Sequence, residues 1–386
     1  MFQLINPRIN YKLKVGDYLH LFRSFFRKTS DLSILYQLLE TKNLLFFDNA
    51  RTGLRFVLEN KLPPDSKVGI QPLTCPTVIE AIYLANCKPV FVDIDSNFAI
   101  SPETLLMKIE KIDALILTHT FGIPAQVEKI KEVLNGKILI EDCAHAFLTF
   151  TEKKNRTGSI GDYSIFSFGF GKFPNAIRGG FLKINNEDTV EFNKKYHSII
   201  KKNSLKFNVL NFINALILPA LNSPILYTFI THKLKKNQSK KTYLLPVYSP
   251  ISTFIPFANL GVLSFQLKKI KISLSNQINN GNRLISAIKN KKEIEVSSTI
   301  NNSNYFMLPI LITNPNDFIK TCETKGIEVG QHFVKTRHVI NHYGYISGEC
   351  PKYELLIQKL VTLPIHYNYS KKNIDKLTKI ISQYNF

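Results

Sequence analysis

Between residues 44 and 185, short β-branched or aliphatic runs alternate with stretches of helical spacing, and no other feature of the chain restricts its fold as much. The runs are KVGI at 67–70, PVFVDI at 89–94, ALILTH at 114–119, KILIED at 137–142, YSIFSF at 163–168 and GGFLKI at 179–184. Runs this short and apolar read as strands buried on both faces, with the intervening helices as the crossovers that parallel strands need. The expected class is α/β, a large wound domain with a mostly parallel sheet. A chain of 386 residues, 44% of them hydrophobic, also leaves room for a second domain. YFMLPILI at 305–312, a helix near 315–325, KGIEVGQHF at 325–333 and a last helix near 371–383 supply it as a small C-terminal α/β unit. The predicted division is a basic amphipathic helical segment over 1–40, a large domain over 41–250 and a small domain over 251–386.

In a wound sheet the ligand sits beyond the carboxyl ends of the strands, so the polar residues just after each run are the candidates. They are Pro72 to Cys75, Asp93, His119, Asp142 to His145, and Ser167 to Lys172. IEDCAHA at 140–146 alone is only a strand ending in a carboxylate, which more often caps a helix than does chemistry. FSFGFGK at 166–172, followed by Gly179 and Gly180, adds a hydroxyl and an amine at the same sheet edge. Pyridoxal phosphate requires such a set: an amine to bond its aldehyde, an anion to keep its ring nitrogen protonated, and donors for its phosphate. Lys172, Asp142 and Ser167 can fill these roles. His119, Arg178, His332 and His366 have ordinary structural readings and no committed role, and no metal site is expected.

These residues resemble the DegT/StrS-type sugar aminotransferases, which have the aspartate-aminotransferase fold. The marks are PVFVDID (89–95), HTFGIPA (119–125), IEDCAHA, GSIGDYSIFSFGFGK (158–172), the glycine pair, GECPKYE (348–354) and LPIH (363–366). The resemblance implies a pyridoxal-phosphate-dependent transferase of fold type I working as a homodimer. It places Lys172 at the coenzyme-bonding position, Asp142 under the ring nitrogen, His145 against the ring and Ser167 at the phosphate. Ala50 and Arg51, in DNARTGLRF (48–56), match the pair whose backbone amides open a helix onto that phosphate. Cys75 stands where many members stack an aromatic residue, and YSPISTFIPFANLG (248–261) stands where they carry Gly-x-Asn-x-Arg. The implied reaction moves an amino group from an amino acid such as glutamate to a keto sugar, nucleotide-linked, in surface polysaccharide or lipopolysaccharide assembly. The alternatives are a degenerate member that binds a glycan precursor or partner without catalysis, and a sugar dehydratase, which lysine at 172 argues against.

Net charge is +21, and from Phe192 to Lys292 there are 17 Lys plus Arg and no Asp or Glu. Within that stretch FNVLNFINALILPALNSPILYTFI (207–230) is apolar but broken by Pro219 and Pro224, so a pair of surface-lying helices is expected rather than a span. Set in the insertion at about 195–250, it faces either an anionic membrane or lipid-linked substrate, or simply more protein. Nucleic acid is not an expected partner, since no recognition module accompanies the charge. The five cysteines lack any CxxC pair, and the first residues lack a secretory pattern. A cytoplasmic location is expected, with peripheral contact at the inner membrane face as its variant.

Overall fold

The computed structural model describes residues 3–9, 12–201, 203–231, 234, 245–247, 254–289, 291–334 and 336–385. The predicted domain boundary at 250–251 and most of the basic run after Thr231 lie outside these residues.

Seven strands form one sheet: β1 (Leu44–Phe47), β2 (Lys67–Ile70), β3 (Lys88–Phe91), β4 (Ala114–Thr118), β5 (Ile138–Asp142), β6 (Tyr163–Ser167) and β7 (Gly180–Ile184), in the order β1-β7-β6-β5-β4-β2-β3. The pairs from β3 across to β6 are parallel, and β7 runs antiparallel between β6 and β1. Each of the six runs between residues 67 and 184 forms a strand. PVFVDI ends as one at Phe91, after which Ile94 forms only a bridge to Ile100. Strand β1 was not anticipated. Its sequence LLFF is four consecutive apolar residues without alternation, a pattern shared with buried helix.

All five residues of β4 and of β7 are buried, because helices cover both faces of the sheet. Parallel strands in this setting lose the inside-outside alternation and become uniformly apolar. Register brings the functional ends together: Thr118 pairs with Asp142, and Asp142 with Ile165. Gly180 pairs with both Ser167 and Phe47.

At the N-terminus, residues 3–9 are non-helical and run beside the C-terminal part, where the Asn6 amide donates to the Gly326 carbonyl at 2.9 Å. Helices α1 (Val15–Arg27) and α2 (Ser33–Leu39) follow. The small C-terminal unit is built on the antiparallel pair β8 (Leu308–Leu311) and β9 (Leu360–Leu363), with a closing helix at Lys371–Gln383. KGIEVGQHF contributes a bridge from Gly330 to Thr362 rather than a strand. In the insertion, Leu205–Leu221 is one helix, and the chain then bends by 83° into Pro224–Ile230. Among the described residues no single helix is long and apolar enough to cross a membrane.

Candidate active site

The carboxyl ends of β4, β5 and β6 and the start of the helix after β1 enclose a cavity of about 180 Å³. Lys172, Asp142, His145, Ser167, Ala50, Arg51 and Cys75, separate in sequence, all line it. Thr74, from the candidate stretch Pro72 to Cys75, lines it too, as do Asn49, Thr118 and Phe333, which the sequence reading did not single out for the site.

Asp142 closes β5. Its Oδ1 accepts from the Ala144 amide at 3.0 Å and its Oδ2 from the Thr118 hydroxyl at 3.5 Å. Burial raises its pKa above the usual carboxylate range, against the pull of the Ala144 amide and of Lys172. Lys172 follows a tight turn in which its own amide donates to the Gly169 carbonyl at 3.0 Å. Gly171 makes that turn at φ +81°, and a side chain there would come within 2.9 Å of Ile9. Burial lowers the Lys172 pKa, with Cys75 and Asp142 opposing, which enlarges the fraction of neutral, nucleophilic amine. Lys172 and Asp142 attract one another without touching as an ion pair. The space between them is the cavity, and the amine also lies 5.6 Å over the Phe306 ring.

His145 is fixed on three sides. Its Nδ1 accepts from the Phe121 amide at 3.3 Å, and its ring stacks on Phe306 at 4.3 Å and 21° and more distantly on Phe333. Burial, with Lys172 and His332 nearby, holds it well below the usual imidazole pKa, so it is neutral. The helix Ala50–Lys61 is capped by Asn49, whose side chain accepts from the Thr52 amide at 3.0 Å. The amides of Ala50 and Arg51 belong to the first turn, which has no intrahelical acceptors and attracts anions. A side chain at Gly180 would lie 2.6 Å from the Ala50 nitrogen, so only glycine lets β7 press against this helix start. Ser167 ends β6 beside it, its hydroxyl accepting from the Gly169 amide at 3.3 Å. Cys75 precedes the helix Pro76–Leu84, with Sγ 3.1 Å from the Thr77 hydroxyl.

Other candidates have structural work. His119 Nδ1 accepts from the Ala125 amide at 3.0 Å, so its Nε2 carries the proton and donates to Glu141 at 2.9 Å. Glu141 also accepts from the amides of Gly158, Ile160 and Gly161. His119, Glu141 and Cys143 lie close enough to hold a metal, but these bonds already use the first two, and burial holds the Cys143 thiol strongly protonated. Asp93 accepts from the amides of Lys352 at 2.8 Å and Tyr353 at 2.9 Å, capping a helix of the small unit. Arg178 pairs with Asp48 at 2.8 Å. His332 stands beside His145, whereas His366 is buried with Nε2 unpaired. His338 and His342, four residues apart, are exposed on a helix and the turn after it.

Residues 34–212 match the model of the DegT/DnrJ/EryC1/StrS aminotransferase family. The matched segment is just under half of the chain, and over it the chain is similar to this family. Among its curated relatives, spore coat polysaccharide biosynthesis protein SpsC of Bacillus subtilis is 30% identical over 155 residues, 39% of this chain and 40% of SpsC. GDP-perosamine synthase of Vibrio cholerae is 24% identical over 184 residues, 43% of this chain and 50% of that enzyme. The chain thus spans about half or less of the length of these two relatives. Among solved structures, Spr1654 of Streptococcus pneumoniae in its PLP form superposes with a TM-score of 0.73 at 16% identity, covering 99% of this chain and 97% of that one. The chain therefore has fold type I, the fold of pyridoxal-phosphate-dependent aminotransferases.

DegT-type aminotransferases depend on pyridoxal phosphate, and the residues present suit it. A buried amine without an ion-pair partner faces a buried carboxylate across a cavity, and a helix start and a hydroxyl close one end. Cys75 is among the lining residues, and Ile255 packs on Gly179; residues 248–253 of the stretch expected to replace Gly-x-Asn-x-Arg lie outside the described residues.

Proposed function

We propose that this chain is an aminotransferase that moves an amino group from an amino acid, glutamate being the expected donor, to the keto group of a nucleotide-linked sugar. The observation that carries the reading is the placement of Lys172 opposite Asp142 across a cavity whose far end is a helix N-terminus. Pyridoxal phosphate bound there supplies an aldehyde to receive the amino group and a ring to spread the charge that develops on carbon. Lys172 would supply the amine that holds the coenzyme, and the same amine would take up and release a proton beside it. Asp142 would hold the ring nitrogen in its protonated form, and the amides of Ala50 and Arg51 with the Ser167 hydroxyl would hold the phosphate. Neutral His145 and the Cys75 side chain would line the place of the ring.

The names of the relatives, a spore coat polysaccharide protein and a GDP-sugar enzyme, support a nucleotide-sugar acceptor and a role in surface polysaccharide assembly. The strongly positive field favours approach of a diphosphate-bearing substrate. A homodimer located at the inner face of a membrane completes the reading, with domains dividing near residues 40 and 250. Loss of the stacking aromatic and of the Asn element favours one second reading, a member that holds coenzyme or precursor without turnover.

Lys172→Ala tests the proposal. The wild type should gain visible absorbance on adding pyridoxal phosphate and lose it on adding glutamate, and the variant should do neither while its circular dichroism is unchanged. A wild type that binds coenzyme but does not respond to any amino donor supports the second reading. Absorbance retained by the variant overturns the assignment of Lys172.

A further inference from the structure

We infer that α1 and the helix Leu205–Leu221 together form a docking surface for an anionic lipid bilayer. This deepens the membrane location proposed above and rests on it, not on amino-group transfer. The Leu205–Leu221 helix buries Asn211, Ala215 and Pro219, spaced i, i+4, i+8, against the protein. Its opposite side presents Leu205, Val209, Ile213 and Ile217 at the same spacing, with Leu205 77% and Ile217 47% exposed. A helix apolar on both sides fits a site where something other than water covers the outer one.

Helix α1 repeats the pattern. Leu21 and Ser24 face inward, and Gly261 admits Ser24 because a side chain there would come within 2.2 Å of it. Val15, Leu19, Phe22 and Phe26 form the outer stripe, with Phe26 73% exposed. Phe22 meets Phe212 edge-on at 4.9 Å, which packs the two helices against one another beside these stripes. Arg23, Arg27 and Lys28 on or after α1, and Lys201 and Lys206 at the start of the second helix, are all exposed beside it. Between the two helices opens a cavity of about 740 Å³ whose lining includes Phe25, Phe26, Leu205 and Phe257 together with Lys28 and Lys201. Apolar walls with adjoining lysines suit an acyl chain beneath a phosphate headgroup.

The charge decides between a bilayer and a second copy of the chain. A two-fold contact would set this face against itself, and so bring the exposed Arg23, Arg27, Lys28, Lys201 and Lys206 against the same cations of the second copy. Anionic headgroups supply the missing charge while the outer stripes enter the acyl boundary. Leu205–Leu221 and Pro224–Ile230 meet at an 83° bend, and neither is by itself long and apolar enough to cross a bilayer.

Flotation of the full chain, loaded with pyridoxal phosphate, on phosphatidylcholine vesicles with and without phosphatidylserine tests the inference. The wild type should rise with the anionic vesicles only, and less as salt increases. Phe26→Glu with Ile213→Glu should cut the floated fraction by about tenfold, with coenzyme absorbance and thermal midpoint unchanged. A wild type that stays below anionic vesicles at moderate salt overturns the proposal, as does a variant that floats like wild type. A variant that becomes monomeric, from a wild type that is dimeric and does not float, assigns the face to a second copy instead. Because absorbance is read in the same samples, failure of docking and failure of the coenzyme reading are separate results.

Discussion

At Glu141, directly before Asp142, a fully buried carboxylate is held by one imidazole and three backbone amides. Burial works to raise its pKa, but His119 and the amides outweigh it and hold the group low. Glu141→Ala leaves those donors without an acceptor and should cost about 3–5 kcal/mol of unfolding free energy in urea titrations. The histidines behave in the opposite sense. Burial pushes His366 down to about 3 and holds His145 and His332 well below the usual value. Below pH 6.5 the unfolded chain takes up protons that the folded one refuses, so stability falls as pH drops from there toward 3. Each such histidine should contribute a slope of about 1.4 kcal/mol per pH unit. His366→Asn, which keeps an acceptor for the Asn368 amide, should flatten the measured dependence by one such slope.

The helix start at residues 49–51 is where an element becomes a binding device. Asn49 satisfies one early amide, and Ala50 and Arg51 line the cavity. Asn49→Ala should cost about 1 kcal/mol in stability and weaken coenzyme binding, measured by absorbance titration. Gly180→Ala should weaken it more, on the order of tenfold in Kd, because the added carbon displaces the Ala50 amide itself. Such close packing of strand against helix start was foreshadowed by the glycine pair in the sequence. The four-residue strand β1 that delivers the helix was not, since LLFF has no periodicity that separates strand from helix.

Across the whole molecule, the two parts of the fold are tied by polar contacts between residues distant in sequence. Asp93, at the carboxyl end of the sheet, caps the helix Pro351–Lys359, and the Arg8 guanidinium donates to the Thr362 hydroxyl at 2.9 Å. Asn304 reaches the carbonyls of His145 and Phe147 at 3.0 and 2.9 Å, holding a small-unit segment to the site. Asp93→Ala should lower unfolding free energy by about 1–2 kcal/mol, read from urea denaturation, with the coenzyme spectrum preserved.

Periodicity and composition by themselves determined the α/β class, the strand runs, the basic insertion and the amine, carboxylate and hydroxyl of the site. These are local properties: an apolar run buries itself wherever it lies, and a polar residue at its end is carried to the sheet edge. Tertiary structure alone decided which strand-end residues share a cavity. Asp142 and Lys172 meet across it because β5 and β6 are neighbours in register, whereas Asp93 and His119 are drawn into capping and core bonds. Phe306 and Phe333 reach the site from the C-terminal part, and no sequence pattern marks them. Their contribution arises from packing between segments far apart in the chain, which one-dimensional spacing does not encode.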